Sequence, residues 1–583
     1  MASFGDRSLW PASLTEAFVK AARDHPRAGI GVFDGRGREA LRRTYTEVVE
    51  AARHMAARFA ARGARRGSPV VISLPTSWDL LEVWLGALFA GACPVATAPG
   101  MGMGAGADQA RKVAGVLERL GCELFVCPAT FRAQAAELGF DSIVRISATP
   151  AELRALEPAR HDDAAPGPRD VAFLQLTSGS TGFPRAVVIP HEAAVHNPLA
   201  SDRAIGAPHG APASEWADAM VSWLPLHHDM GLVGGLLFAW LCGLDLWLLP
   251  PKAFLARPEI WLRELGRRGT TIAAAPNFAY QTCVDRVGVE ALGDADLAGW
   301  RAALMGAEMI RVPTVHAFAE RFAAAGLRPE QLVPCYGLAE GTLAVTFDVA
   351  GRGVRTLPRP AGSDAALGGE DVVCVGSPID DTEVAALGPN GEALPDGAIG
   401  HVCARGPSIF AGYYGDPAAT AEGLRDGWLW TGDLGFLHDG ELYLTGRVKD
   451  VLIIRGQNLM PHELEWCVEG ATGGGGAARS GAFSVAAGAD GEQAVVVAEV
   501  ADPDPDRLAA IEREVRVRVG RAFGLSLADV VLVRRGAIPK TTSGKVRRLE
   551  LRRMYLAGEI DRLGAPRAAP SPPRLRVPDP TSP

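Results

Sequence analysis

The stretch FLQLTSGSTGFPRAVVIP, residues 173–190, sets hydroxyl residues, two glycines and an arginine between two apolar runs. VAFLQL before the loop and AVVI after it are typical of strands, because apolar and β-branched side chains suit a buried sheet. A helical pattern begins only after them, at HEAAVHN. The loop therefore joins two strands, whereas a Walker A loop has the spacing G-x-x-x-x-G-K-[ST] and opens directly into a helix.

The composition of this loop suits a polyphosphate. Gly179 and Gly182 let the backbone curl so that N–H groups converge on an anion. Arg185 adds a permanent positive charge, and hydroxyl donors come from Thr177, Ser178, Ser180 and Thr181. The same residues equally fit a Ser/Gly-rich hairpin turn, so the loop alone leaves both interpretations open.

Length and composition indicate a multidomain globular protein. The chain has 583 residues, more than a single hydrophobic core usually serves. Its net charge of −8 argues against broad nucleic-acid binding, which needs a clustered basic surface. Its nine cysteines are scattered without a C-x-x-C pair, which predicts free thiols in a reducing compartment. We therefore expect a cytoplasmic protein.

The most apolar stretch, residues 231–250, is just long enough to cross a bilayer. Asp245 interrupts it and its glycines weaken a helix, so we predict a buried helix running into a strand and no membrane span. The first residues lack the basic and apolar segments of a signal peptide.

Strand-like runs alternate with amphipathic helices over the first 345 residues, which predicts an α/β fold with largely parallel sheets. We expect a large N-terminal domain of doubly wound α/β sheets over residues 1–447. Its last part, from about 346 to 447, is a β-rich subdomain. A small mobile α+β C-terminal domain should follow over residues 448–560, and a Pro-rich disordered tail over 561–583.

LTSGSTGFPRAV resembles the phosphate-binding loop of the adenylate-forming enzymes, which include acyl-CoA synthetases, luciferases, peptide-synthetase adenylation domains and fatty acyl-AMP ligases. Arg185 stands where the family pattern has Lys, and Ala186 where it has Gly. The further family motifs follow in the same order, as YGLAE (336–340), TGD (431–433), GRVKD (446–450) and PKTTSGKVRR (539–548).

This resemblance implies a reaction between a carboxylate and the α-phosphate of ATP that releases pyrophosphate, with Mg²⁺ as cofactor. Residues Thr177 to Gly182 would cradle the β- and γ-phosphates together with Arg185. Glu340 would hold Mg²⁺, a hard cation that prefers carboxylate oxygen. Tyr336 would stack on adenine, and the nucleotide site would also include Gly306, Ala307, Glu308 and Gly337.

The later motifs imply the remaining roles. Asp433 would accept the ribose hydroxyls, and Arg447 would contact ribose or phosphate. Lys545 would be catalytic, because its ammonium can bridge the carboxylate and the α-phosphate as charge builds. The small domain would rotate between the two steps about a hinge at Lys449.

SWLPLHHDMGLVGG, residues 222–235, resembles the fatty acyl-AMP ligase branch, as do APNFAY (275–280) and GQNLMP (456–461). His228 would lie near the acyl carboxylate as a catalytic and substrate-binding residue. Gly231, Gly234 and Tyr280 would line the path of an alkyl chain, and the substrate would be a fatty acid. These apolar residues are equally compatible with an ordinary hydrophobic core.

The sequence indicates the acyl acceptor less clearly than it indicates the acyl substrate. Residues 344–376 fill the interval in which this branch carries an extra segment that disfavours acyl-CoA formation. We expect transfer to the phosphopantetheine thiol of an acyl carrier protein. An acyl-CoA synthetase is the alternative, and a non-catalytic adenylate-binding protein is a more remote one.

Replacing Lys545 with Ala should lower acyl-AMP formation by roughly 10²- to 10³-fold, because a charge that stabilises the transition state is removed. ATP binding should largely survive, since the adenine and ribose contacts remain. Pyrophosphate release and calorimetric ATP binding measure the two effects, and undiminished turnover would remove Lys545 from the catalytic set.

Overall fold

The computed structural model describes residues 10–99, 106–137, 146–160, 165–177, 184–206, 215, 219–360, 371–454, 457–469, 480–486, 492–501, 504–540 and 545–564. The chain divides into two compact units. Unit 1 comprises Met1–Leu357 and Val372–Thr445, and unit 2 comprises Pro358–Asp371 and Gly446–Pro583.

The helices of unit 1 alternate with strands through most of its length. They are α1 (Leu14–Asp24), α2 (Tyr45–Ala61), α3 (Trp78–Phe89), α4 (Gly106–Leu120), α5 (Ala129–Glu137), α6 (Pro150–Arg154), α7 (His191–Gly206), α8 (Asp229–Gly231), α9 (Phe238–Leu241), α10 (Pro251–Ala256), α11 (Glu259–Arg267), α12 (Asn277–Arg286), α13 (Val312–Phe322) and α14 (Pro417–Gly423).

The strands of unit 1 are β1 (Gly29–Phe33), β2 (Glu39–Thr44), β3 (Pro69–Ile72), β4 (Cys93–Ala96), β5 (Leu124–Val126), β6 (Ile146–Ala148), β7 (Val171–Leu176), β8 (Ala186–Pro190), β9 (Ala219–Ser222), β10 (Asp245–Leu248), β11 (Ile272–Pro276), β12 (Ala302–Gly306), β13 (Leu332–Gly337), β14 (Ala344–Phe347), β15 (Thr356–Leu357), β16 (Val372–Val373), β17 (Ser377–Pro378), β18 (Glu383–Leu387), β19 (Gly400–Arg405), β20 (Leu424–Arg425), β21 (Trp428–His438) and β22 (Glu441–Arg447). The last of these continues into unit 2.

Parallel pairing dominates the first part of unit 1. One sheet has the order β4-β3-β5-β6 and is parallel throughout. A second has the order β2-β1-β10-β9, with only β2 antiparallel. A third runs β11-β12-β13-β14-β17, and its first three strands are parallel. The predicted α/β class is confirmed.

The later strands form a smaller antiparallel sheet of order β18-β19-β21-β20, with β22 paired to β21. Antiparallel neighbours need only short connections, which explains the short β-runs between frequent glycine turns in this part of the sequence. Glycines at positive φ, such as Gly391, Gly427 and Gly440, end these runs.

Helix α2 shows how the sequence pattern becomes packing. The Thr44 hydroxyl accepts from the Glu47 backbone N–H, and the Glu47 carboxylate accepts from the Thr44 N–H, which forms a capping box. Its apolar face is buried against α3, where a Cβ on Gly86 would lie 2.3 Å from Met55 Cγ. Glycine at position 86 therefore allows the close approach of these two helices.

The apolar stretch 231–250 folds as predicted, as helix followed by strand. Helix α8 passes into a π-helical turn, Leu232–Leu237, then α9, and β10 follows. Trp240 is fully buried, with ring centroids 4.6 Å from Tyr45 and 4.3 Å from Phe18. In the described part of the chain, every helix is too short or too polar to cross a membrane.

Unit 2 contains α15 (Pro461–Glu469), α16 (Pro505–Phe523), α17 (Arg548–Leu556), β23 (Leu452–Ile454), β24 (Gln457–Leu459), β25 (Ser480–Ala486), β26 (Glu492–Val500) and β27 (Asp529–Arg534). Its three-stranded sheet has the order β25-β26-β27, antiparallel and then parallel. Arg562, placed in the predicted tail, forms a bidentate ion pair with Asp529 at 2.8 Å. The folded part of unit 2 thus includes Arg562, and residues 565–583 lie outside the described residues.

We expect the buried imidazole of His191 to make the stability of unit 1 sensitive to acid. It is 3% exposed, and its Nδ1 accepts the backbone N–H of Leu14, at the start of α1, at 3.1 Å. Burial lowers its pKa to about 4 from 6.5, against the opposing charge of Asp170. The unfolded chain therefore binds a proton in this window that the folded protein does not, and stability falls as the pH drops from 6.5 towards 4.

We expect His191→Asn to reduce this acid sensitivity, because the Asn Oδ1 can accept the Leu14 N–H without titrating. In the native protein, the His191 imidazole should lower the free energy of unfolding by about 3 kcal/mol between pH 7 and pH 4. Urea unfolding of both proteins at several pH values measures the difference in slope. Equal slopes would show that His191 does not titrate in this window.

Candidate active site

Three parallel strands end at one edge of their sheet, and five of the predicted nucleotide-binding residues lie at or directly after these ends: Gly306, Ala307, Glu308, Tyr336 and Gly337. Pro276 of β11 is in register with Gly306 of β12, and Met305 with Pro334 of β13. Carboxyl ends of parallel strands are where open α/β sheets bind ligands. The register therefore groups the segments after β11, β12 and β13.

Close backbone approach fixes glycine at the ends of two of these strands. A Cβ on Gly306 would lie 3.0 Å from the Cys335 carbonyl oxygen, and one on Gly337 would lie 1.9 Å from the Leu343 carbonyl oxygen. Ala307, directly after β12, is exposed and adopts φ 67°, a left-handed conformation that is unfavourable for alanine. Backbone strain of this kind is concentrated at functional sites.

Tyr336 and Asp433, predicted to contact adenine and ribose, are joined directly. The Tyr336 hydroxyl donates to Asp433 Oδ2 at 2.6 Å, and both residues are buried. A bulge in β21 directs Asp433 here. Gly432 has φ 77°, and the Asp433 N–H donates to the Thr431 hydroxyl at 3.1 Å.

Glu308 has a structural contact that its motif did not indicate. Its Oε1 accepts the backbone N–H of Phe278 at 2.5 Å, at the first turn of α12. A carboxylate at this position is stabilised by the helix dipole. The side chain of Glu308 thus holds α12 against the end of β12, and the backbone of residues 306–308 forms the sheet edge.

The predicted phosphate loop, residues 177–185, joins β7 and β8, which pair antiparallel as a hairpin. At its base the Thr177 N–H donates to the Arg185 carbonyl at 2.9 Å, and the Arg185 N–H donates to the Thr177 hydroxyl at 3.3 Å. Ser178, Gly179, Ser180, Thr181 and Gly182 lie outside the described residues. The structure thus places the two ends of the predicted phosphate loop side by side.

Glu340 lies in the tight connection between β13 and β14. Asn197 of α7, which is fully buried, fixes this connection by donating to the carbonyls of Gly341 and Ala344 at 3.2 and 2.8 Å. The Glu340 Oε1 accepts the Tyr413 hydroxyl at 2.7 Å. Burial, and then the Glu340 charge, raise the pKa of Tyr413, so the phenol donates in this pair.

His228 lies at the amino end of α8, and its ring is 4.7 Å from that of His227. Burial lowers the pKa of His227 far below its ordinary value, and His228 adds to this effect. The backbone carbonyl of His227 accepts Gln175 Nε2 at 2.9 Å. Gln175 of β7 therefore fixes this histidine pair close to the base of the phosphate loop.

The glycines predicted to open an alkyl path have packing roles in this structure. A Cβ on Gly231 would lie 2.3 Å from the Pro225 carbonyl oxygen, so the missing side chain allows backbone packing. A Cβ on Gly234 would lie 2.8 Å from Leu343 Cδ2, beside the Glu340 connection. Tyr280 is fully buried among aromatic rings, and its hydroxyl donates to the Leu304 carbonyl at 2.9 Å. The structure thus places Tyr280 in the core.

Three predicted residues lie in unit 2. Arg447 and Lys449 are exposed, and Lys449 is part of the 3₁₀ turn Val448–Asp450. Lys545 is half-buried, next to Val546, which forms a β-bridge with Lys540. The predicted nucleotide-binding residues at the ends of β12 and β13, and Asp433, all belong to unit 1.

A parallel-sheet edge with a strained backbone, a tyrosine–carboxylate pair and a loop of hydroxyl residues and glycine defines a nucleotide-binding α/β protein. The family described as AMP-binding enzyme matches residues 18–414. This is more than half of the chain, and the chain belongs to that family.

Relatives match over most of their length. A Caulobacter vibrioides protein provisionally named acyl-CoA synthetase is 34% identical over 563 residues, covering 94% of this chain and 96% of the relative. The long-chain-fatty-acid–AMP ligase FadD26 of Mycobacterium marinum is 35% identical over 446 residues, covering 71% and 74%. A structure from a study of fatty acyl-adenylate ligases from E. coli and L. pneumophila has a TM-score of 0.85 at 30% identity, covering 94% and 98%. These findings confirm the resemblance to adenylate-forming enzymes of the fatty acyl-AMP ligase branch.

Two residues that hold the site, Asn197 and Tyr413, are not predictable from the local sequence. Asn197 lies in an ordinary helical pattern, and Tyr413 follows a glycine in a loop, so neither carries a local signal. Their roles come from contacts with the Glu340 connection, which is more than 70 residues away from Tyr413 and more than 140 from Asn197.

Replacing Tyr336 with Phe should raise the KM for ATP by roughly three- to tenfold, because Asp433 loses a charge-assisted hydrogen bond while the aromatic ring remains. The kcat should change little. Steady-state pyrophosphate release at saturating fatty acid measures both constants. An unchanged KM would show that this contact does not organise the nucleotide site.

Proposed function

We propose that this protein is an ATP-dependent fatty acyl-AMP ligase. The observation that carries the proposal is the hydrogen bond between Tyr336, at the carboxyl end of β13, and Asp433 of β21, in a chain of the AMP-binding enzyme family. The mycobacterial relative is named for a long-chain fatty acid and AMP. A cytoplasmic location is part of the proposal, supported by nine free cysteines.

The nucleotide would be held by residues of unit 1. The Tyr336 ring would stack on adenine while its hydroxyl keeps Asp433 oriented towards the ribose hydroxyls. The Thr177–Gly182 loop and Arg185 would bind the β- and γ-phosphates. Fixed donors and a fixed carboxylate cost no reorganisation during the reaction, which favours the transition state.

The reaction would proceed by in-line displacement. An oxygen of the fatty acid carboxylate forms a bond to the α-phosphorus, and the bond from that phosphorus to the bridging oxygen of pyrophosphate breaks. Lys545 would neutralise the charge on the α-phosphate and the carboxylate as they approach. Arg447 would contact ribose or phosphate.

Glu340 fits a divalent cation. Its carboxylate is half-buried, supplies hard oxygen atoms and is already oriented by Tyr413. A bound Mg²⁺ would supply charge neutralisation for the phosphates. We propose Glu340 as the protein ligand of this ion.

The acyl chain would lie beyond His228. This histidine precedes the apolar turns of α8 and the π-helical segment Leu232–Leu237, which are buried. π-Helical turns are rare and occur often at functional sites. His228 would contact the carboxylate, and Gly234 with Leu343 would border the apolar side of the path.

Transfer to the phosphopantetheine thiol of an acyl carrier protein is the proposed second step. It rests on residues 344–376. The Arg355 guanidinium in this segment pairs with Asp348 at 2.5 Å and with Glu441 at 2.6 Å. These pairs fix the stem formed by β15 and β16 within unit 1, and Pro358–Asp371 belongs to unit 2.

Within unit 2, Arg359 forms an ion pair with Glu463 at 2.7 Å, and both side chains are largely buried. This contact supports the proposal that the segment restrains the small domain and disfavours CoA. The Caulobacter relative, provisionally named an acyl-CoA synthetase over nearly the whole chain, favours CoA as the second candidate acceptor.

Mass spectrometry of the protein with ATP, Mg²⁺, a ladder of fatty acids and excess CoA tests the proposal. Acyl-AMP without acyl-CoA is the expected result. Abundant acyl-CoA would make the protein an acyl-CoA synthetase. Nucleotide binding without either product, or without pyrophosphate release, would leave the non-catalytic adenylate-binding alternative.

Replacing residues 358–371 with a short Gly/Ser linker should raise acyl-CoA output severalfold and leave acyl-AMP formation intact, because the Arg359–Glu463 ion pair is lost. Arg359→Ala should give a smaller rise, and Arg352→Ala, an exposed arginine of the same segment, should give none. Product ratios are read by mass spectrometry. Unchanged ratios in all three variants would mean that the segment does not select the acceptor.

A further inference from the structure

Tyr413 connects two groups that the proposed function places on the phosphates. Its hydroxyl donates to Glu340 Oε1 at 2.7 Å. Its ring lies under the Arg185 guanidinium, with the guanidinium carbon 5.1 Å from the ring centroid. Cation–π attraction of this kind is favourable at such a distance. One side chain thus contacts both the predicted metal ligand and the basic residue of the phosphate loop.

The backbone holds Tyr413 firmly in this position. The Val188 N–H of β8 donates to Gly412, and the Ala411 N–H donates back to Val188. The Tyr413 N–H donates to the Thr420 hydroxyl at 2.8 Å. The segment around residue 413 therefore lies against the strand that leaves the phosphate loop.

A second contact ties the same segment to the Glu340 connection. The Phe410 N–H donates to the Glu340 carbonyl at 2.9 Å, and the Phe410 and Tyr413 rings pack edge to face with centroids 5.0 Å apart. The backbone and the carboxylate of Glu340 are thus both held from the 410–413 segment. This arrangement fixes the direction of the carboxylate as well as its position.

We infer that Tyr413 is a positioning residue for the proposed adenylation reaction, which orients the Glu340 carboxylate for a divalent cation and aligns Arg185 with the phosphates. This inference rests on the proposed function. The hydroxyl acts on Glu340 and the ring acts on Arg185, so the two effects can be separated by substitution. Carboxylate oxygen is the ligand type that Mg²⁺ prefers, so the direction of this carboxylate bears on metal binding.

Tyr413→Phe removes the hydroxyl and keeps the ring. We expect the Mg²⁺ concentration for half-maximal pyrophosphate release to rise by about three- to tenfold, the loss of one hydrogen bond to an oriented carboxylate. Calorimetric ATP affinity should fall by a similar factor in Mg²⁺ buffer and stay unchanged in EDTA. A merely structural role would lower both affinities together.

Tyr413→Leu also removes the ring beneath Arg185. We expect this variant to show the same change in Mg²⁺ dependence and, in addition, weaker ATP binding in EDTA. Tyr414→Phe is the matched control, since it removes a neighbouring half-buried phenol. Its Mg²⁺ dependence should equal that of the native protein, and unfolding midpoints confirm that each variant is folded.

A double-mutant cycle with Glu340→Gln tests whether Tyr413 changes the Mg²⁺ dependence through Glu340. If Tyr413 acts through Glu340, Tyr413→Phe should add no further change in Mg²⁺ dependence to the Glu340→Gln protein. Additive effects, or an unchanged Mg²⁺ dependence in Tyr413→Phe, would overturn the inference. A native protein that binds ATP and Mg²⁺ but forms no acyl-AMP would contradict the proposed function alone, because the calorimetric comparison still tests Tyr413.

Discussion

The close approach of backbone at the ends of β12 and β13 is the constraint on which the site depends. Side chains are excluded at Gly306 by Cys335 and at Gly337 by the Leu343 carbonyl. Glycine at both positions allows this close approach, and Ala307, directly after Gly306, adopts a positive φ. The sheet edge is therefore a surface of backbone, which a planar ligand can approach closely.

Two hydrogen-bonded tyrosine–carboxylate pairs lie near this sheet edge. Tyr336 holds Asp433 and Tyr413 holds Glu340, each with the phenol as donor and at closely similar distances. Each phenol donates a hydrogen bond to its carboxylate and so fixes the direction of that carboxylate. The partner in each pair comes from a distant part of the chain, and the β-rich part supplies one member of both. Folding of that part is therefore required before either carboxylate is oriented.

The sequence predicts the fold class and the loop positions well, because both depend on local patterns. Periodicity and turn residues predict three features: the strand pair β7 and β8, helix α2 with its capping box, and the helix followed by a strand at 231–250. The family motifs add the order of the site residues. Asn197 and Tyr413 could not be predicted, since their roles arise only when distant segments meet.

For glycines and buried aromatic residues, the sequence alone does not decide between a substrate path and the core. Gly231 suits either an open path or close packing, and only the Pro225 carbonyl beside it decides for packing. Tyr280 is compatible with a substrate wall until the Leu304 carbonyl and the surrounding rings place it in the core. A single sequence contains the residue type but not the neighbour that occupies the space.

The different exposure of the two carboxylates matches the ligands proposed for them. Asp433 is 5% exposed, as expected for a group that recognises hydroxyls by direct hydrogen bonds in a water-poor pocket. Glu340 is half-exposed, and Mg²⁺ gives up its water ligands reluctantly, so a carboxylate that binds it needs space for those waters. With the Tyr413 phenol on one oxygen, the carboxylate stays oriented even in this more solvated position. Because Glu340 is less buried than Asp433, the Tyr413 hydrogen bond is a contact that orients this proposed metal ligand.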